Sequence, residues 1–372
     1  MSEQELQLGD VLRCWRAETK EWSDAKVHKI RQNPDGTEEY YVSYVNVNKR
    51  WDEWVSRDLL DFKTIVHKAG SKSRKAHANT EETAEAENLK FLGESRNIEY
   101  LRLSHYKIQA WYFSPFPDPY NSLDTVYCCE FCMRFFCTER EFNDHTHRCT
   151  VTHPPGDEIY RKNEISIYEV DGSFSTRYCV NLCLITKLFL NHKTEYYAPH
   201  EFHFYIVCIN DIRGAHPCGF FSKEKHSEYG YNLACIVTFP CYQRMGIGNF
   251  LVQISYELSK IEKKPGTPEK PLSDLGLMTY RSYWKDAVLE CILSHRTEQL
   301  SLKNISDLTG MTIEDVKFAL IDGGYIKNID DDWKLALTYS QIQDWQTKSR
   351  KKKLQLDPKY LRWVPYPRPQ RN

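Results

Sequence analysis

The chain has 372 residues, 41% of them hydrophobic, and its 50 Lys and Arg against 51 Asp and Glu leave a formal net charge of -1. That length and apolar content suit two or three globular units, and the balanced charge excludes attraction to nucleic acid by bulk charge, so any such contact has to come from local patches. The start, Met1-Ser2-Glu3-Gln4-Glu5, lacks a basic region leading into an apolar one, and the most apolar stretch, Val180 to Leu190, is short and holds Lys187, so neither a signal peptide nor a membrane span is expected.

The first unit runs over 6–62. Strand-like segments at Val11 to Trp15, Trp22 to Ile30, Tyr40 to Val45 and Trp54 to Val55, with a hairpin turn at Asn33-Pro34-Asp35-Gly36, predict a small all-β barrel. Over 63–88, Lys63, Lys68, Lys72, Arg74 and Lys75 and then Glu81, Glu82, Glu85 and Glu87 predict a flexible charged linker, either solvated chain or a contact for nucleic acid or an import receptor. The larger unit spans 89–372.

Within it, 127–149 reads Tyr127-x-Cys129-x2-Cys132-x3-Phe136-x5-Phe142-x2-His145-x3-Cys149. Cys129 and Cys132 fit a knuckle between two strands, and His145 and Cys149, four apart, share one face of a helix, so four soft ligands close a tetrahedral structural zinc site. No position is left for water, which argues against a catalytic metal. Of the thirteen cysteines, most sit irregularly in apolar stretches and read as reduced thiols of an intracellular protein.

From Ile159 to Cys208 the pattern predicts successive strands around one helix, Asn181 to Leu190, followed by a loop from His192 to Tyr197. Gly219 to Glu224 and Tyr231 to Ile236 predict central strands. The apolar run Ala234 to Pro240 then meets Gln243-Arg244-Met245-Gly246-Ile247-Gly248-Asn249, after which Ile247, Phe250, Leu251, Ile254, Leu258 and Ile261 recur at helical spacing. Strand, glycine turn and helix start make a site for a pyrophosphate, because the first turn's N–H groups lack partners and Arg244 adds charge; the alternative is an ordinary connection. Over 297–339 the chain outlines a helix-turn-helix with a wing, yet its second helix carries Glu314, Asp315 and Asp322 against Lys317, the wrong sign for a phosphate backbone. The run Lys348 to Lys353 is either a contact for DNA or acidic partners, or a solvated tail.

Gln243-Arg244-x-Gly246-x-Gly248 resembles the acetyl-CoA loop of GNAT-type acetyltransferases. Pro268-Glu269-Lys270-Pro271-Leu272-Ser273-Asp274-Leu275-Gly276, Trp111 to Pro115, His153 to Arg161 and Lys187 to Thr194 narrow the resemblance to the MYST-family histone acetyltransferases. Trp51-Asp52-Glu53-Trp54-Val55 resembles the chromo-barrel at the start of some of these enzymes. The resemblance implies an α/β (α+β) fold with a GNAT-like acetyl-CoA core at 159–285, the embedded zinc finger and the helix-turn-helix-like unit. It implies a nuclear enzyme that transfers acetyl groups from acetyl-CoA to lysines of histone tails, most of all those of the fourth core histone, in transcription and DNA repair, within a multisubunit complex. A non-catalytic chromatin adaptor and an acetyltransferase for non-histone proteins are the alternatives.

By the same resemblance, Ile236, Thr238 and the 243–249 turn bind the cofactor, Ser273 and Ser282 approach it from the other side, and Lys193 is acetylated by the enzyme itself. Asn249 stands where a lysine is usual and Ile247 where an aromatic is usual. Trp22, Tyr41, Tyr44, Trp51 and Trp54 either form a methyl-lysine cage or are the barrel's own core, with RNA binding as another use. A substrate lysine, with a pKa of about 10.4 in water, must lose its proton before it attacks a thioester, and a carboxylate is the simplest base. Glu257 lies off the apolar helical face and is expected to point to solvent, whereas Glu269, between Pro268 and Pro271, sits on a stiffened loop, and the resemblance assigns it the base. Cys235 is either a covalent acetyl carrier or a packing cysteine.

Overall fold

The structure, a computed structural model, describes residues 6–16, 21–32, 37–45, 53–66, 96–190, 198–295, 299–329, 332–351 and 354–366. Its contacts fall into two compact units, one holding the N-terminal segments to Leu101 with 109–126 and 187–192, the other holding the remainder.

In the first unit, β1 (Val11–Arg16), β2 (Glu21–Gln32), β3 (Glu38–Tyr44), β4 (Glu53–Ser56) and β5 (Leu60–Val66) pair in the order β4-β3-β2-β1-β5. Alternate side chains, among them Leu12, Cys14, Ala25, Val27, Tyr40, Val42 and Tyr44, turn into one core. A register shift between Val27 and Lys29 marks a bulge that bends β2. The last strand reaches Val66, so Lys63 to Val66 continue the barrel; Lys63 is exposed there, and an edge strand tolerates such a charge. The turn expected at 33–36, Trp51 and the rest of the linker lie outside the described residues.

Short strands β6 (Tyr100–Leu103) and β7 (Tyr106–Gln109) lead to the finger strands β8 (Thr125–Cys128) and β9 (Phe135–Phe136) and to helix α1 (Glu139–Thr146). Helix α1 starts on a capping box, with Thr138 and Glu141 satisfying each other's backbone N–H. The central sheet is antiparallel, in the order β10 (Asp157–Lys162), β11 (Ile165–Asp171), β12 (Phe202–Asp211), β13 (Gly214–Glu224) and β15 (Cys235–Thr238). Strands β12 and β13 are apolar almost without alternation because both faces are covered. Helix α2 (Thr176–Lys187) starts five residues before the expected Asn181 and ends three before Leu190. Tyr178 and Cys179, residues with little helical preference, are buried along it, so tertiary burial overrides propensity.

The run expected as one strand, Tyr231 to Ile236, breaks at Ala234. Strand β14 (Tyr231–Leu233) turns away to pair in parallel with β16 (Thr267–Pro268), while β15 stays on β13, Cys235 opposite Ser222. Helix α3 (Ile247–Glu262) follows. Ile247, Phe250, Leu251, Ile254 and Leu258 pack on the sheet as their spacing predicts. Val252 and Tyr256 are also buried, against helix α4 (Asp274–Ser294), and Ile261 is exposed in the last turn. The polar-looking face of α3 is therefore a second interface: Tyr256 stacks on Tyr283 at 5.0 Å, and Trp284 Nε1 donates to Tyr256 Oη at 2.7 Å.

Helices α5 (Leu302–Thr309) and α6 (Ile313–Asp322), with β17 (Ile326–Ile329) and β18 (Asp332–Leu335), form the expected helix-turn-helix and wing. Two of the three acids of α6 are used internally, while Glu314 is exposed. Asp322 pairs with Arg281 and Lys285, and Asp315 is buried near Lys270. After α7 (Tyr339–Lys351), Leu354 to Tyr366 runs back as a strap along α3 and β10. Leu361 bridges to Tyr160, Arg362 N–H donates to Ile159 O at 2.7 Å, and Lys162 pairs with Asp357 at 3.1 Å.

Candidate functional site

The finger brings its ligands together as the spacing requires. Tyr127 pairs with Phe136 across β8 and β9, and Phe142 of α1 packs between their rings. Around this mini-core one ligand atom from each of Cys129, Cys132, His145 and Cys149 lies within 4.8 Å of the others, with Cys129 Sγ 3.9 Å from Cys149 Sγ and Cys132 Sγ 3.3 Å from His145 Nε2. Three sulfurs and an imidazole nitrogen at these separations fit the edges of a zinc tetrahedron, and four protein ligands leave no open position.

The cradle forms where β15 gives way to α3. Arg244 (φ 63°) and Gly246 (φ 90°) both adopt left-handed backbone, and the sharp reversal delivers α3 with no side chain capping its N-terminus. The N–H groups of its first turn are therefore available to an anion. Gln243, Arg244 and Met245 are exposed, while Gly248 and Asn249 are half-buried in the first turn. A Cβ on Gly248 would come 3.6 Å from Thr238 Oγ1 and 4.0 Å from Thr279 Cγ2 of α4, so the turn is floored by Thr238 and flanked by α4. A phosphate-bearing ligand fits these residues.

Other expected cofactor residues divide. Ile247 is 2% exposed and packs in the core against Gly219, so it offers the site only its backbone. Ile236 is half-buried between the two main clusters. Ser273 caps α4, accepting from Gly276 N–H at 3.1 Å, and Ser282 is exposed on α4, three residues beyond Thr279 and on the same helical side.

The pairing of β14 with β16 places the acid. Glu269 immediately follows β16, its N–H donates to Leu233 O at 2.8 Å, and its side chain is exposed. Leu233 is two residues before Cys235, so Glu269 and the half-buried Cys235 flank the point where the sheet splits. Cys235 N–H donates to Ser222 Oγ at 3.3 Å, and among the described residues no hydrogen bond or ion pair joins its thiol to a cation. Burial pushes two other thiols of this unit, Cys218 and Cys241, up to about 12 and about 11, which keeps them protonated. Glu257 does not point free into solvent. It is half-buried and paired with Lys260 at 2.7 Å, one turn along α3, which excludes it from the site for a different reason.

Sequence reasoning missed Thr279, Gly219 and the strap. A Cβ on Gly219 would lie 2.6 Å from Val237 O and 3.3 Å from Ile247 Cγ2, so only glycine lets β15 and the start of α3 approach. The strap is fastened by Glu169, 7% exposed, which accepts Tyr205 Oη–H at 2.7 Å, Trp363 Nε1–H at 2.8 Å and Tyr366 Oη–H at 3.3 Å. Burial holds this carboxyl above the usual range against the pull of those donors. Its aromatics, Trp363 and Tyr366, follow a basic run, but nothing local in the sequence names Glu169 as their partner. Lys193 lies outside the described residues.

In the barrel, the candidate cage aromatics are largely engaged. Tyr41 and Tyr44 are buried, Arg31 lies 4.2 Å over Trp54 while bonded to Glu39 and Glu99, Arg96 lies 5.2 Å over Tyr41, and Trp22, 45% exposed, packs edge-on to Trp15.

Three family descriptions match the chain: "RNA binding activity-knot of a chromodomain" over 8–62, "MYST family zinc finger domain" over 95–149 and "MOZ/SAS family" over 153–361. "Histone acetyltransferase of the MYST family 1" from Arabidopsis thaliana is 42% identical over 84% of this chain and 75% of its own length. "Histone acetyltransferase esa1" from Emericella nidulans is 46% identical over 73% of this chain and 54% of its own. "Histone acetyltransferase KAT6A" from Homo sapiens is 44% identical over 71% of this chain and 13% of its own.

Proposed function

The chain belongs to the MYST family of histone acetyltransferases, and from that premise we infer that Glu269 is the general base of a direct transfer from acetyl-CoA to a histone lysine. The enzyme uses acetyl-CoA, and its Cys3His cluster is a structural zinc site. The observation that carries the inference is the bond from Glu269 N–H to Leu233 O, which fixes the acid to the strand leading into the cradle. Acetyl-CoA supplies an activated acyl group, and the first turn of α3 with Arg244 holds its phosphates. Glu269 takes a proton from the lysine ammonium. The freed amine attacks the carbonyl carbon, a C–N bond forms as the C–S bond breaks, and the nitrogen's second proton passes to the departing sulfur, leaving a neutral amide and the free thiol of CoA. Cys235 is a packing residue beside this path, because among the described residues no cationic partner is bonded to its thiol.

The substrates are histones, and the tail of the fourth core histone in nucleosomes is the preferred one, with the helix-turn-helix unit forming a wall of the tail groove. We place the enzyme in the nucleus, in a complex with other subunits, and Lys193 as a site of self-acetylation. For the barrel, RNA is favoured over methyl-lysine, since Arg31 and Arg96 already lie over Trp54 and Tyr41, two of the candidate cage rings. Incubation with labelled acetyl-CoA and nucleosomes tests the reading. Label on the histones is expected, with one acetyl on Lys193 by mass spectrometry; label only on non-histone proteins, or none, contradicts it.

A further inference from the structure

The departure at Asn249, where the family carries a lysine, has a compensation in the strap. Leu356 N–H donates to Gln253 Oε1 at 2.9 Å, and Gln253 Nε2 donates to Asn249 Oδ1 at 2.7 Å. A backbone N–H can only donate, so the atom facing it is Gln253's oxygen and the remaining end of that amide is its NH2. That NH2 needs an acceptor, so Asn249 turns its carbonyl oxygen to Gln253. What Asn249 has left, in the first turn of the cradle, is its Nδ2 group, a donor. The strap touches the turn directly as well: a Cβ on Gly246 would sit 3.6 Å from Leu354 Cβ.

We propose that Gln253 is a positioning residue for the acetyl-CoA cradle, fixing the Asn249 amide so that its N–H donors, and not its carbonyl oxygen, are left for the phosphates. A neutral donor thereby stands in for the absent lysine. Without the relay, half of the amide's orientations would present an acceptor to an anion, and the strap would no longer report to the cofactor site. The proposal rests on the cradle binding acetyl-CoA.

Calorimetric titration of the full chain with CoA, beside thermal unfolding of the unliganded protein, tests it. In Gln253→Glu both oxygens accept. Leu356 N–H keeps its partner, but Asn249 must turn its NH2 to the introduced carboxylate and leave its oxygen for the phosphates. CoA binding should weaken by about tenfold or more with the unliganded melting temperature little changed, and Asn249→Lys in that background should restore it. Asn249→Asp, which has no donor, should weaken binding at least as much in a folded protein. Wild-type affinity in Gln253→Glu or in Asn249→Asp overturns the proposal, as does lost affinity that Asn249→Lys does not restore. If Gln253→Glu fails to fold, Asn249→Asp decides alone. Wild-type protein that binds no CoA would overturn the cradle reading itself, a separate result.

Discussion

Replacing Glu169 by leucine or by glutamine separates the acceptor role of this side chain from its charge. Glu169→Leu accepts no hydrogen bond, so the buried Tyr205 hydroxyl and the Trp363 N–H lose their partner at about 1–3 kcal/mol each, while the half-exposed Tyr366 turns to water. The sum is about 2–6 kcal/mol, which at about 2–4 °C per kcal/mol lowers the melting temperature by roughly 5–20 °C. Glu169→Gln keeps a carbonyl for Tyr205 and Trp363, presents its amide to Tyr366 oxygen and removes a desolvated charge, so it should lie within about 1 kcal/mol of wild type. Because burial raises the carboxyl's pKa in the fold, its contribution is full below the ordinary glutamate range and falls away as pH rises through the raised value. Glu169→Gln should lose that slope. Thermal unfolding followed by circular dichroism across that window is the assay. A Gln variant that melts as early as Leu would mean that charge, not acceptor geometry, fastens the strap; a Leu variant that melts with wild type would mean that Glu169 does not fasten it.

Zinc analysis should find one ion per chain, and Cys132→Ser should lose it and unfold the finger, since about 10–16 kcal/mol of binding energy is folding energy in such sites; metal-free protein with full stability would contradict this. Gly219→Ala puts a methyl 2.6 Å from Val237 O and should cost about 1–3 kcal/mol and weaken CoA binding by displacing β15 from α3, measured by melting and titration; unchanged values would show that the contact relaxes freely.

The finger was legible from spacing alone, because metal ligation fixes both residue type and interval. Helix α3 was half legible. Its sheet-facing stripe has apolar spacing, but Tyr256 and Ser255 on the second buried face look like surface residues, and only the arrival of α4 makes that face an interior. Glu269 and Cys235 could be named as candidates from the sequence, but their flanking of one sheet opening depends on the parallel pairing of β14 with β16, a contact between segments more than thirty residues apart. The strap was invisible for the same reason: Glu169 and Trp363 are 194 positions apart, and nothing local in either segment announces the bond.

The rates of Glu269→Gln and Cys235→Ser, measured against pH at saturating acetyl-CoA, test most directly the claim that a carboxylate beside the split sheet does the proton work. Direct attack predicts that Glu269→Gln slows acetyl transfer by roughly 10²–10⁴ near neutral pH and recovers as pH rises and more substrate lysine loses its proton unaided. Cys235→Ser should stay largely active, and acetyl-CoA alone should leave no acetyl group on Cys235. Full activity of Glu269→Gln at neutral pH, or abolished turnover in Cys235→Ser with an acetylated Cys235 in the wild type, would contradict it.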